Sequence, residues 1–189
     1  MKVIKEIPSI DVATQLAAAG FCCQVSPELR HDVETHLGGG QTRVVKNRTE
    51  QGFVIFRQIE DILYLSGIIL APEVQGKGFA GQIIVELAHD LDAKYLALRT
   101  QNIRMWRVGA KICSEWYPNY SQDISSEMRY RGDKLANAIG CDCFPLVVGC
   151  YGRPLYGQKP THRDQHLQGW WDSICDFYRG DAIICLGKL

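Results

Sequence analysis

The spacing of apolar residues switches between two periods, and each switch marks a boundary between elements. Residues 1–7 alternate and predict a first strand. Ser9 can cap a helix whose apolar positions Val12, Leu16 and Ala19 recur at helical spacing, with Gly20 at its end. Ser26-Pro27 opens a second helix, because proline is tolerated in a first turn, and Leu29, Val33 and Leu37 form its stripe up to Gly38-Gly39-Gly40. The period then drops to two. Residues 42–46, 53–57 and 62–70 predict three strands joined by polar turns, an antiparallel meander. The third is apolar on both faces and so belongs in the middle of a sheet.

After residues 71–75 the helical period returns, with Phe79, Ile83, Leu87 and Leu91 four apart. Residues 95–99 predict another strand and 102–113 a helix, in which Gly109 is a weak point. Further on, the pattern predicts a helix over 126–138, a strand over 145–151, a helix over 164–177 and a last strand over 182–186. There is no internal repeat and no low-complexity tract. The class is α/β, and 189 residues suit one domain with a sizeable core.

Composition narrows the partners. The chain is 46% hydrophobic and 22% charged, with Lys plus Arg equal to Asp plus Glu at 21 each. A formal net charge of +0 supplies no overall field to draw it to nucleic acid or an anionic membrane. No stretch approaches the roughly 20 apolar residues of a membrane span. Residues 1–8 lack the apolar run of a signal peptide, so a cytoplasmic protein is expected. The eight cysteines include no Cys-x-x-Cys and read as free thiols of a reducing compartment. Metal capture by Cys141, Cys143 and Cys150 would need a fourth ligand, and no metal is expected.

The segment that carries chemistry is Pro72-Glu73-Val74-Gln75-Gly76-Lys77-Gly78-Phe79-Ala80-Gly81. A buried strand ends, glycines permit tight backbone geometry, and a helix begins. Unpaired N–H groups at the positive end of a helix dipole make a seat for a diphosphate, and Lys77 adds a positive charge. Gly76, Gly78 and Gly81 also satisfy Gly-x-Gly-x-x-Gly, the dinucleotide fingerprint. That reading wants the motif early in a strand–helix series and a carboxylate about 20 residues later. Here residues 1–70 precede it and the next strand ends in Arg99-Thr100, although an arginine could suit a phosphorylated ribose.

Gln75-x-x-Gly78-x-Ala80 resembles the Gln/Arg-x-x-Gly-x-Gly/Ala pyrophosphate loop of the GNAT acetyltransferases, and the order of elements is similar to that family's over most of the chain. The resemblance implies a three-layer α/β/α fold around a mixed, largely antiparallel sheet. Residues 1–113 would be the core, and 114–189 an extension shaping the acceptor site. It further implies acetyl-coenzyme A as acyl donor, held by Gln75, Gly76, Lys77, Gly78, Phe79 and Ala80. The strand end Ile68, Ile69 and Leu70 would bond the pantetheine amides as an added strand would, with Asn102 hydrogen-bonding the same arm. The implied partner is a small-molecule or peptide amine, without nucleic acid or membrane, and a homodimer is a candidate assembly.

The sequence departs from the family at its acid–base groups. Residues 62–70 carry no carboxylate, only Tyr64 and Ser66 being polar, and Gly109-Ala110 stand where the family often has a tyrosine. Tyr117 and Tyr120 are the nearest substitutes for the general acid, against packing of a loop. Glu73 is a candidate base acting through water, or catalysis rests on positioning. A non-catalytic acyl-coenzyme A sensor and an NADP-dependent oxidoreductase are the rival functions. His162 and His166, four apart, could share a helix face as metal ligands do, or mark a solvated helix start. Trp170-Trp171 and the tyrosines of 116–156 serve either a pocket or the core. Asn47-Arg48-Thr49 is a glycosylation triplet without meaning in a cytoplasmic protein.

Overall fold

Local capping chemistry fixes most helix starts. A computed structural model describes residues 2–47, 49–155 and 158–189, so Arg48 and Tyr156, from the glycosylation triplet and the tyrosine group, lie outside the described residues. Strand β1 (Lys2–Ile4) leads to helices α1 (Ile10–Phe21) and α2 (Pro27–Gly38). The hydroxyl of Ser9 accepts from the Val12 N–H at 3.3 Å, and that of Ser26 accepts from Leu29 at 3.1 Å. Helix α1 runs one residue past Gly20, and Cys22 takes the left-handed capping conformation expected of glycine.

Strands β2 (Gln41–Asn47), β3 (Thr49–Ile59) and β4 (Ile62–Leu70) form the antiparallel meander. A 3-10 turn (Pro72–Val74) precedes α3 (Phe79–Asp90), then β5 (Tyr95–Thr100), α4 (Ile103–Ile112) and β6 (Glu115–Tyr117). The chain finishes with α5 (Ser126–Ala138), β7 (Leu146–Val147), α6 (Gln165–Ile174) and β8 (Ala182–Lys188). The sheet order is β1-β2-β3-β4-β5-β8-β6, with β7 pairing β8 at its other end. Pairing is antiparallel except between β4 and β5. Among the described residues no helix is long and apolar enough to cross a membrane.

The sheet separates two helical layers. On one face Ile84, Leu87, Ile103, Trp106, Leu167 and Trp171 of α3, α4 and α6 pack on Phe56, Leu63, Leu96 and Ile183. On the other, α1 and α2 cover Phe53 and Ile55 at one end of the strands, and α5 covers Ile62, Ala97, Ile184 and Leu186 at the other. This is a three-layer α/β/α fold on a mixed, mostly antiparallel sheet.

Several boundaries differ from the sequence reading for physical reasons. The strand expected over 145–151 shrinks to two residues because Gly149 and Gly152 take positive φ (60° and 62°) and turn the chain away from β8. Strand β6 was not expected, since three residues are too few to show alternation. Gly109 is a packing requirement, because a Cβ there would lie 2.1 Å from the Trp116 ring. Helix α6 starts after Asp164, whose carboxylate accepts from His166 and Leu167, so His162 lies outside the helix and shares no helix face with His166.

One break in register positions the site. Strand β4 pairs with β5 only from Ile62 to Leu65, opposite Tyr95 to Leu98. Beyond that β4 continues along β3 alone, while Arg99 and Thr100 continue along β8. Where they part, Ile55 faces Gly67 and Phe56 faces Leu65, which leaves Ser66 as the extra residue of a β-bulge. The central strands therefore diverge, and residues 66–69 are only half buried.

Candidate functional site

At the end of the diverging β4 the chain turns through the glycine loop. Gly76 and Gly78 have φ of 72° and 82°, a region that side chains other than glycine enter at a cost. A Cβ on either would meet nothing within 4 Å, so backbone conformation rather than crowding calls for glycine there, and the space in front is open. Gln75, Gly76, Lys77 and Gly78 are all exposed. No side chain caps α3 and its first turn contains no acid, so its leading N–H groups face solvent with their positive field uncancelled. The Gln75 amide donates to Leu70 O at 2.8 Å and to Gly20 O at 3.1 Å, which ties the loop to the ends of β4 and α1. The arrangement can receive a diphosphate.

Ile68, Ile69 and Leu70 follow the bulge on the stretch of β4 that has left β5. Ile69 packs with the α1–α2 core and Ile68 with the core of the opposite face. Phe79 and Ala80 are half buried at the start of α3. Asn102 stands at the far wall of the divergence, where its Oδ1 accepts from Arg104 N at 2.9 Å and its own N–H donates to Thr100 Oγ1 at 2.9 Å. Its side-chain oxygen therefore caps α4. Glu73 is exposed on the 3-10 turn beside the loop.

Tyr117 and Tyr120 stand elsewhere. Tyr117 is buried on β6, separated from β4 by β8 and β5, or roughly 14 Å at about 4.8 Å per strand. Tyr120 is exposed and its ring lies 5.9 Å from Trp170, within an aromatic group that includes Trp106 and Trp171. Trp171 is 2% exposed and its indole N–H donates to Gln101 O at 3.2 Å, which makes it core. Among the described residues no three His, Cys, Asp or Glu side chains converge as metal ligands, and all eight cysteines are free.

Sequence reasoning missed a polar cluster on the α1–α2–α5 face, between the two helical covers. The Arg57 guanidinium lies 5.2 Å from the centre of the Tyr64 ring, and that of Arg99 lies 5.4 Å from the Tyr151 ring while donating to Cys141 Sγ at 3.3 Å. Cys150, next to Tyr151 in the chain, is half buried. Burial pushes the Tyr151 phenol up to about 12 against the pull of Arg99, and burial raises Tyr64 against both arginines. Both phenols keep their protons at neutral pH. The available signal was a cation at inward positions, since Arg57 shares its strand face with Ile55 and Arg99 shares its with Ala97.

The turn carrying Cys150 and Tyr151 is pinned from below. Buried Asp181 accepts from Gly149 N at 2.8 Å and Asp176 N at 3.0 Å and pairs with Arg179, while Tyr151 N donates to Gly180 O at 2.9 Å. Arg179 holds the Asp181 carboxyl down at about 2. We expect Asp181→Asn to cost about 2–3 kcal/mol, a fall in Tm of roughly 5–10 °C by calorimetry. A depressed carboxyl contributes stability above its ordinary value of 3.8 and loses it as pH falls toward 2, so the gap between the two proteins should close across that window. A constant gap down to pH 2 would refute the role given to this charge.

No protein-family model matches the sequence, and no curated protein is detectably similar to it. Solved structures are. An IAA acetyltransferase from Bacillus cereus ATCC 14579 superposes over 100% of both chains with a TM-score of 0.53 at 12% identity. The ribosomal-protein alanine N-acetyltransferase of Escherichia coli matches 99% of this chain and 92% of its own, with a TM-score of 0.51 at 13% identity. The chain shares the overall fold of these acetyltransferases, the three-layer α/β/α fold of GNAT type; within it, its own central strands diverge and a glycine loop heads α3.

Proposed function

We propose that the protein is an N-acetyltransferase that moves the acetyl group of acetyl-coenzyme A to an amine. The observation that carries this is the open glycine loop at residues 75–78, set beside the point where β4 leaves β5. The main-chain N–H groups around Gly76, Gly78 and Ala80 hold the diphosphate, with Lys77 adding charge. The free edge of β4 over Ile68, Ile69 and Leu70 pairs with the pantetheine arm, and Asn102 flanks it. The thioester then lies near the Ser66 bulge, where a strand N–H can polarise its carbonyl.

In the transfer the amine nitrogen bonds to the carbonyl carbon, the C–S bond breaks, and the thiolate takes a proton. Tyr64 and Tyr151, both held protonated, are the phenols on the acceptor face, and Glu73 is the carboxylate beside the loop. Water takes the proton lost by the amine, so most of the acceleration comes from positioning. The competing reading, a non-catalytic acyl-coenzyme A binder on the same fold, draws on the lack of a carboxylate anywhere on β4. Thiol release from acetyl-coenzyme A with a panel of amines separates them. Turnover with an amine is expected; tight binding without turnover on any amine would leave the sensor.

A further inference from the structure

Resting on the acyltransferase reading, we infer that the acceptor is an amine that also carries an acid group, a carboxylate or a phosphate, held by Arg57 and Arg99. Cations drawn into a protein are ordinarily paired with carboxylates. Among the described residues, neither arginine forms an ion pair. The Arg57 Nε is buried without a hydrogen-bond partner. Arg57 of β3 lies over the Tyr64 ring, and Tyr64 pairs with Ala97 of β5, whose sheet face Arg99 shares two residues further on.

The same sheet face is open further along β4. Gly67 shares a face with Ile55, its cross-strand partner, and a Cβ built on it would meet nothing within 4 Å. The opening lies one residue from the Ser66 bulge, where β4 leaves β5. An acceptor entering from this face would thus present its amine toward the thioester while its acid group lies against two guanidinium forks. Planar guanidinium pairs bidentately with carboxylate or phosphate, and the half-buried setting strengthens the pairing. The neighbouring phenols are neutral, so they hydrogen-bond an anion without repelling it.

The test is thiol release from acetyl-coenzyme A with matched acceptors: the amino acids against their amides, and phosphoethanolamine against ethanolamine. The acid member of at least one pair should show kcat/KM about 30-fold or more above its neutral partner, as expected for charge-assisted hydrogen bonds. Arg57→Gln should reduce that ratio to roughly threefold, mainly through KM, with Arg57→Lys restoring part of it. Preference in the amino-acid pairs identifies a carboxylate, and preference in the phosphoethanolamine pair a phosphate. Calorimetry with acetyl-coenzyme A reports separately on the donor site. Failure to bind there sinks the acyltransferase reading itself. Binding without preference for either acid, or a ratio untouched by Arg57→Gln, overturns this inference alone.

Discussion

Gly78→Glu should abolish acetyl-coenzyme A binding, with affinity falling at least about 100-fold in calorimetric titration. Two effects combine. Position 78 has φ of 82°, and forcing a side chain into that conformation costs about 1–2 kcal/mol. The new carboxylate would also project into the open space before the α3 N-terminus, where a phosphate is to sit. Two like charges about 4 Å apart at a protein surface repel by roughly 4 kcal/mol. Gly78→Ala separates the terms, since it strains the backbone without adding charge and should weaken binding less than about tenfold. Equal losses in the two variants would mean that conformation, not the diphosphate seat, governs the loop.

Trp171→Ala should be the most damaging single truncation, costing about 3–5 kcal/mol. At about 2–4 °C per kcal/mol for a chain of this size, Tm should fall by roughly 6–20 °C. The side chain is 2% exposed among Leu167, Trp106 and Ile183, and its N–H donates to the carbonyl of Gln101. Gln101 is itself buried, with its amide oxygen accepting from Leu155 N at 2.9 Å. The C-terminal third therefore packs onto the end of β5 and helps set the far wall of the divergence. Tyr178→Ala, at a side chain 73% exposed, is the control and should shift Tm by under about 2 °C. A small effect at Trp171 would show that α6 docks only loosely on the sheet and does not set the far wall of the divergence.

What the sequence disclosed was what neighbouring residues decide. Ser9 and Ser26 cap the helices that follow them because the bonded N–H groups lie three positions on. The loop at Gly76 and Gly78 was legible for the same reason, since the strand end, the glycines and the helix are contiguous. The two-sided apolar pattern of residues 62–70 placed β4 centrally, and it lies between β3 and β5.

What the sequence withheld depends on contacts between distant segments. Arg57, Tyr64, Arg99, Cys141 and Tyr151 come from three strands and two loops, and no local period joins them. Gly109 weakens a helix by propensity, yet Trp116 on the next strand demands it. Tyr117 and Tyr120 were candidates because they follow α4 closely, but β6 carries one to the far side of β8 and the other stacks on Trp170. His162 and His166 looked like a helical pair only while the helix start was unknown.

Titration of the intact protein with acetyl-coenzyme A, followed by calorimetry, bears most directly on the diphosphate seat. One molecule should bind per chain with a Kd below about 1 mM, an affinity of at least about 4 kcal/mol. No heat of binding at that concentration would contradict the assignment of the Gly76–Gly78 turn and, with it, the acyl-transfer account.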